Sequence, residues 1–167
     1  MDTDVPLSGR SVLIVCLAVA ILATHAEAGE ILSGRPQFVG AGRMIISARH
    51  LALFGIISPD PELFCSENGR PWRCGQTAQA AIESYVGSKD IYCSIELENK
   101  NGDASATCFA DGKDVAAWMV SEGWAFSNRL QASRYISAEA EAKFAKRGLW
   151  RSLFNQKDFG NNDGKSP

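Results

Sequence analysis

The residues able to do chemistry fall into a few groups. His50, Asp60 and the arginines Arg43 and Arg49 share one short segment. A histidine and a carboxylate in reach of each other can move a proton, and a nearby guanidinium can steady an oxyanion. The plainer reading makes His50 a solvated strand residue and Asp60 an acceptor of backbone donors in the turn after Pro59. Arg70-Pro71-Trp72-Arg73 forms a second group. An indole flanked by guanidinium groups can stack on a base or sugar and pair with an anion; the competing reading is a tryptophan that packs its own loop. Cys65, Cys74, Cys93 and Cys108 are the third group. No Cys-x-x-Cys occurs and His50 is the only histidine after residue 28, so the pattern does not suit zinc. No metal and no other cofactor is expected. An even number of cysteines reads as two disulfides with three possible connectivities. The favoured set is Cys65–Cys74, closing a small loop, with Cys93–Cys108 joining the arms of a hairpin centred near Lys100-Asn101.

The elements that must position these groups are organised around the stretch from His50 to Gly87. His50 to Phe54 reads as a strand ending at Gly55, and Arg43 to Ser47 as the strand before it, after the Gly40-Ala41-Gly42 turn. Ser58-Pro59-Asp60-Pro61 then forbids regular structure, because proline fixes φ and has no amide donor. From Thr77, Ala78, Ala81, Ile82, Tyr85 and Val86 recur at helical spacing up to Gly87. Glu30 to Val39 supplies one edge strand. Ile91, Cys93, Ile95 and Leu97 alternate with polar neighbours, and Ala104 to Ala110 returns after a polar loop. Asp114 opens a second helix running to Glu122, with Trp118 at a core-type position. Gly123-Trp124-Ala125-Phe126 is a short return strand, with Trp124 also at a core-type position. Ser137 caps a third helix, which Lys143, Lys146 and Arg147 complete and Gly148 ends. Leu149-Trp150 folds back as an apolar plug. These elements make a small α+β domain whose economical closure is a five-stranded Greek-key barrel of the OB type, carrying about three helices.

The ends of the chain read differently. Arg10, the apolar run Val12 to Ala23 and the small-x-small site Ala26-Glu27-Ala28 have the layout of a signal peptide, 1–28. The run falls short of the ~20 residues a membrane span needs, so no permanent span is expected. A domain over 29–154 and a flexible polar tail over 155–167 follow, in a protein secreted or held in the periplasm. The whole chain has 17 basic and 19 acidic residues. Without the leader the two are equal in number, which argues against a nucleic-acid partner, because such binding rests on a basic surface.

In order and spacing, Leu53-Phe54-Gly55-Ile56, Ser58-Pro59-Asp60, Cys74-Gly75-Gln76-Thr77-Ala78, Ser121-Glu122-Gly123-Trp124-Ala125, Glu139-Ala140 and Gly148-Leu149-Trp150 resemble the thermonuclease (staphylococcal nuclease-like) family of OB-fold barrels. The resemblance runs from about Phe38 to Trp150. Active members cut phosphodiesters with Ca²⁺ held by carboxylates, a glutamate and two arginines. Counted onto this chain, the metal aspartates fall on Gly42 and Ile57, the glutamate on Asp60, and the arginines on Ala52 and Asp103. The resemblance therefore implies a non-catalytic copy of the fold, with His50 and Asp60 as the fallback for a rearranged site and Arg70, Trp72 and Arg73 as the ligand-binding candidates. OB barrels bind oligonucleotides and oligosaccharides on one sheet face. The expected partner is an oligosaccharide or another cell-envelope protein. Degenerate exported members resemble a rhizobial branch assigned to succinoglycan (exopolysaccharide) biosynthesis, and that is the process implied. The rival expectations are an active or altered periplasmic nuclease and a structural docking protein.

Overall fold

The computed structural model describes residues 30–152; the expected leader and the tail from 155 lie outside the described residues. In chain order the elements are β1 (Ile31–Gly34), β2 (Gln37–Gly40), β3 (Arg43–Ile46), β4 (Arg49–Leu53), β5 (Ile56–Ile57), β6 (Cys65–Glu67), β7 (Arg70–Trp72) and α1 (Cys74–Val86). There follow β8 (Ile91–Glu98), β9 (Ala104–Ala110), β10 (Lys113–Asp114), α2 (Val115–Ser121), β11 (Phe126–Ser127), α3 (Ile136–Phe144) and a 3₁₀ turn, Gly148–Arg151.

The main sheet has the order β1-β8-β9-β4-β3-β2, with β10 added to β9. It curls until β1 lies against β3. This is the α+β barrel-type fold expected, with two strands more in the main sheet: Arg35-Pro36 divides the expected edge strand into β1 and β2, and the short β10 adds to β9. β4 and β9 run parallel, pairing Leu51 with Ala104, so the sheet is not purely antiparallel. The cause is the long crossover between them, which carries α1 and β8. The hairpin β8–β9 pairs Cys93 directly with Cys108, and the two form a disulfide. Both are buried in a core with Met44, Leu51, Ile82, Ile91 and Met119.

A smaller core gathers Cys65, Cys74, Phe126 and Leu149, with Trp72 and Trp150 against it. The Cys65–Cys74 disulfide holds this group to the start of α1. Trp150 meets Phe126 edge-on at 4.9 Å, so the Leu149-Trp150 plug is found. The loop between the two cysteines carries its own hairpin, pairing Cys65 with Trp72.

Helix ends differ from expectation in ways the packing explains. α1 begins at Cys74, three residues before Thr77, with no side-chain cap at Arg73. Its entry is set by the disulfide and by the Gly75 N–H, which donates to the Leu63 carbonyl at 3.2 Å. α2 is capped as expected, Asp114 accepting from the Ala117 N–H. α3 is capped by Tyr135 and not by Ser137, because Tyr135 is anchored in the core and its hydroxyl donates to Asp114 at 2.8 Å. Nor does Gly148 end α3. Lys146, at φ 51°, takes the left-handed position. The Lys146 and Arg147 N–H groups close back on the Lys143 and Ala142 carbonyls in a Schellman turn. Lys146 and Arg147 thus lie beyond the helix, and Gly148 opens the 3₁₀ turn.

A β-carbon at Gly75 would lie 1.8 Å from the Asp60 carbonyl oxygen. Gly75→Ala is therefore expected to cost about 3 kcal/mol, the upper end of the overpacking range, measured by urea unfolding. Burial first, and then the bond to Asp114, push the Tyr135 phenol up from 10.0 to about 12. Its folded pKa lies above the unfolded one, so its stabilisation is whole below about pH 10 and is lost as the pH rises through about 12. Wild-type stability is expected to fall across that interval more steeply than that of Tyr135→Phe.

Candidate functional site

A cleft of about 340 Å³ opens where the β2–β3 turn, the end of β4, the proline turn, the start of β9 and the loop after β11 converge. Each part arrives for a local reason. The β2–β3 turn presents Gly42 and Arg43. The pairing of β5 with β11, Ile57 opposite Phe126, brings the segment around Asn128 alongside the proline turn. The Asp60 carboxylate accepts from the Glu62 N–H at 2.9 Å through one oxygen. Its other oxygen faces Arg43 at 3.4 Å.

Gly42, Ala52, Ile57 and Asp60 all line this cleft. Asp103 does not; it lines an adjoining groove of about 290 Å³ with His50, Arg43 and Ala52. Asn99 accepts from the Asp103 N–H at 3.0 Å, which fixes the tip of the β8–β9 hairpin. His50 and Asp60 therefore lie on different depressions, with Arg43 and Ala52 common to both. Arg49 joins neither, since its guanidinium holds Glu30 and Glu98, each at 2.7 Å. The hydrogen bond to Glu30 is the leading cause that raises its pKa above the ordinary arginine value.

The residues present do not fit the calcium ion that the fold family implies. A hard cation takes six to eight oxygen ligands. Here Gly42 and Ile57 offer no side-chain oxygen, and Asp60 is committed to Arg43 and a backbone donor. A β-carbon at Gly42 would lie 2.6 Å from the Ser58 hydroxyl, so any side-chain ligand at position 42 would also need Ser58 to move. Among the described residues no three of His, Cys, Asp or Glu are grouped to hold a metal.

Arg70, Trp72 and Arg73 lie apart from the cleft. The Trp72 indole donates to the Ser152 hydroxyl at 2.7 Å, and the Arg151 guanidinium covers its ring at 4.1 Å. Arg151 also pairs with Glu67 at 3.4 Å. The Arg73 guanidinium lies 5.4 Å from the Phe64 ring. Arg70 and Trp72 also line a groove of about 410 Å³ with Glu67, Asn68 and Pro71, on a loop packed against residues 151 and 152.

The structure adds Ser105, Asn128, Leu130 and Gln131 to the cleft. In the sequence, Ser127 to Gln131 reads only as a polar linker. Its one signal is that two carboxamides follow a short apolar strand, a pattern shared by many turns.

Gly42→Asp is expected to lower stability by about 1–3 kcal/mol through collision with Ser58. Millimolar Ca²⁺ should not raise the variant's melting temperature in calorimetry.

The family described as "Staphylococcal nuclease homologue" matches residues 51–152. The chain is also similar to "Succinoglycan biosynthesis protein ExoI" of Rhizobium meliloti (strain 1021), with 30% identity over 138 residues, 80% of this chain and 72% of that protein. With the barrel-type sheet, the proline turn and the helix order on the same span, this chain belongs to the staphylococcal nuclease family.

Proposed function

We propose that this chain is an exported accessory protein of exopolysaccharide biosynthesis, built on a nuclease fold that no longer hydrolyses phosphodiesters. The observation that carries the reading is the state of the cleft. Where the family's chemistry needs two metal carboxylates and two arginines, this chain places Gly42, Ile57, Ala52 and Asp103. Removing one such transition-state donor costs about 10²–10³ in rate. Here the donors and the cation's ligands are missing together.

Export is supported by the two disulfides, which persist in oxidising compartments. Among the described residues no helix is long and apolar enough to cross a membrane. The process is supported by the relative named for succinoglycan biosynthesis.

One observation favours the rival of an altered nuclease: His50, Arg43 and Asp103 share a groove. The test decides between them. Purified protein should leave single-stranded DNA and RNA intact equally with Ca²⁺ and with chelator. Metal-dependent cutting that disappears in His50→Ala or Asp60→Ala would overturn the proposal.

A further inference from the structure

The geometry points to the cleft as a site for one unit of a neutral saccharide, held by the carboxamide donors of Asn128 and Gln131 beside the Arg43–Asp60 pair. This inference rests on the reading of the chain as a non-hydrolytic accessory protein.

The two carboxamides are already oriented. The Asn128 side-chain oxygen accepts from the Leu130 N–H at 3.2 Å, and the Gln131 oxygen accepts from the Gly55 N–H at 3.2 Å. With each oxygen held by a backbone donor, the NH₂ end is defined. Neither NH₂ group has an acceptor among the described residues. The Ser58 and Ser105 hydroxyls line the same cleft and can donate or accept. A ligand that matches this set must carry several groups that are both donors and acceptors. Sugar hydroxyls are such groups.

The charge excludes the obvious competitor. Among the described residues, Arg43 and Asp60 are the only charged ones lining the cleft, and they face each other. A phosphodiester chain gains its affinity from uncompensated basic groups, and no described residue supplies one here. Nor does any described aromatic residue line the cleft, so among these residues bases find no platform on which to stack. The ion pair is half exposed, and such pairs are worth about 0–1 kcal/mol. It can therefore turn its remaining N–H groups and carboxylate oxygen towards hydroxyls at little cost.

The apolar part of the lining suits the same ligand. The Leu130 side chain stands at the cleft, 99% exposed, while the half-buried Ile57 offers aliphatic surface. A pyranose ring has C–H faces as well as hydroxyls. At about 340 Å³ the cleft lies near the lower end of the ~300–1,000 Å³ typical of small-molecule sites, which fits one sugar unit better than a long stretch of polymer.

The test uses ¹⁵N-labelled full chain, in which the side-chain NH₂ signals of Asn128 and Gln131 are observed directly. Laminaritetraose and cellotetraose are titrated as neutral probes, tetragalacturonate as an acidic one, and oligothymidylate with Ca²⁺ or chelator as the nucleic-acid arm. Saturable shifts of those NH₂ signals with a neutral probe are expected. Asn128→Asp and Gln131→Glu keep the accepting oxygen and replace the NH₂ donor with a carboxylate oxygen, adding one negative charge. Each should weaken binding about five- to tenfold and leave the melting temperature nearly unchanged. Flat titrations with both neutral probes would overturn the inference, as would unchanged affinity in both variants, tighter binding of the acidic probe, or shifts confined to Trp72. Cleavage of the oligothymidylate would instead overturn the non-hydrolytic reading. An intact oligothymidylate together with flat saccharide titrations overturns the ligand assignment alone.

Discussion

The Asp60 carbonyl rests against the α-carbon of Gly75, and much of the site depends on that contact. It exists because residue 75 has no side chain: a β-carbon would fall 1.8 Å from the oxygen. The proline turn is thereby seated on the first turn of α1, where the Leu63 carbonyl takes the Gly75 N–H and the Cys65–Cys74 bridge closes the loop between them. The turn's outer side carries Ser58 and Asp60. Their positions are thus fixed by the helix behind them, and the floor of the cleft is a by-product of helix docking.

The same separation keeps the core independent of the residues that line the cleft. The core around Met44, Leu51, Ile82, Ile91 and Met119 and the Cys93–Cys108 bridge lie on the buried faces of the sheet, α1 and α2. Gly42, Ala52, Ile57 and Asp60 stand outside that cluster. Selection on one face places little constraint on the other, beyond the requirement that buried polar groups stay paired. Ser58 crowds Gly42, so a larger residue at position 42 would require Ser58 to move.

Much of the sheet was legible in the sequence because its signals are local. Alternation in 91–97 and 104–110, the polar loop between them and the cysteine spacing all lie within one hairpin. Asp114 announced its helix for the same reason. The starts of α1 and α3 were not legible, since neither rests on a capping side chain; a disulfide and Gly75 set one, and the long-range bond from Tyr135 to Asp114 sets the other. Lys146 in the left-handed position defeated the expectation that Gly148 stops α3. Gly42, Ala52 and Ile57 were readable by register as neighbours on one cleft. Asn128 and Gln131 were not, because they reach the cleft only through the β5–β11 pairing and the contact of Gln131 with Gly55, 76 residues away.

The hairpin that holds Trp72 leans on residues 151 and 152. Ser152 takes the indole proton, and Arg151 lies over the ring while reaching Glu67. The clasp joins segments some eighty positions apart, beside the sulfur bridge that closes the same loop.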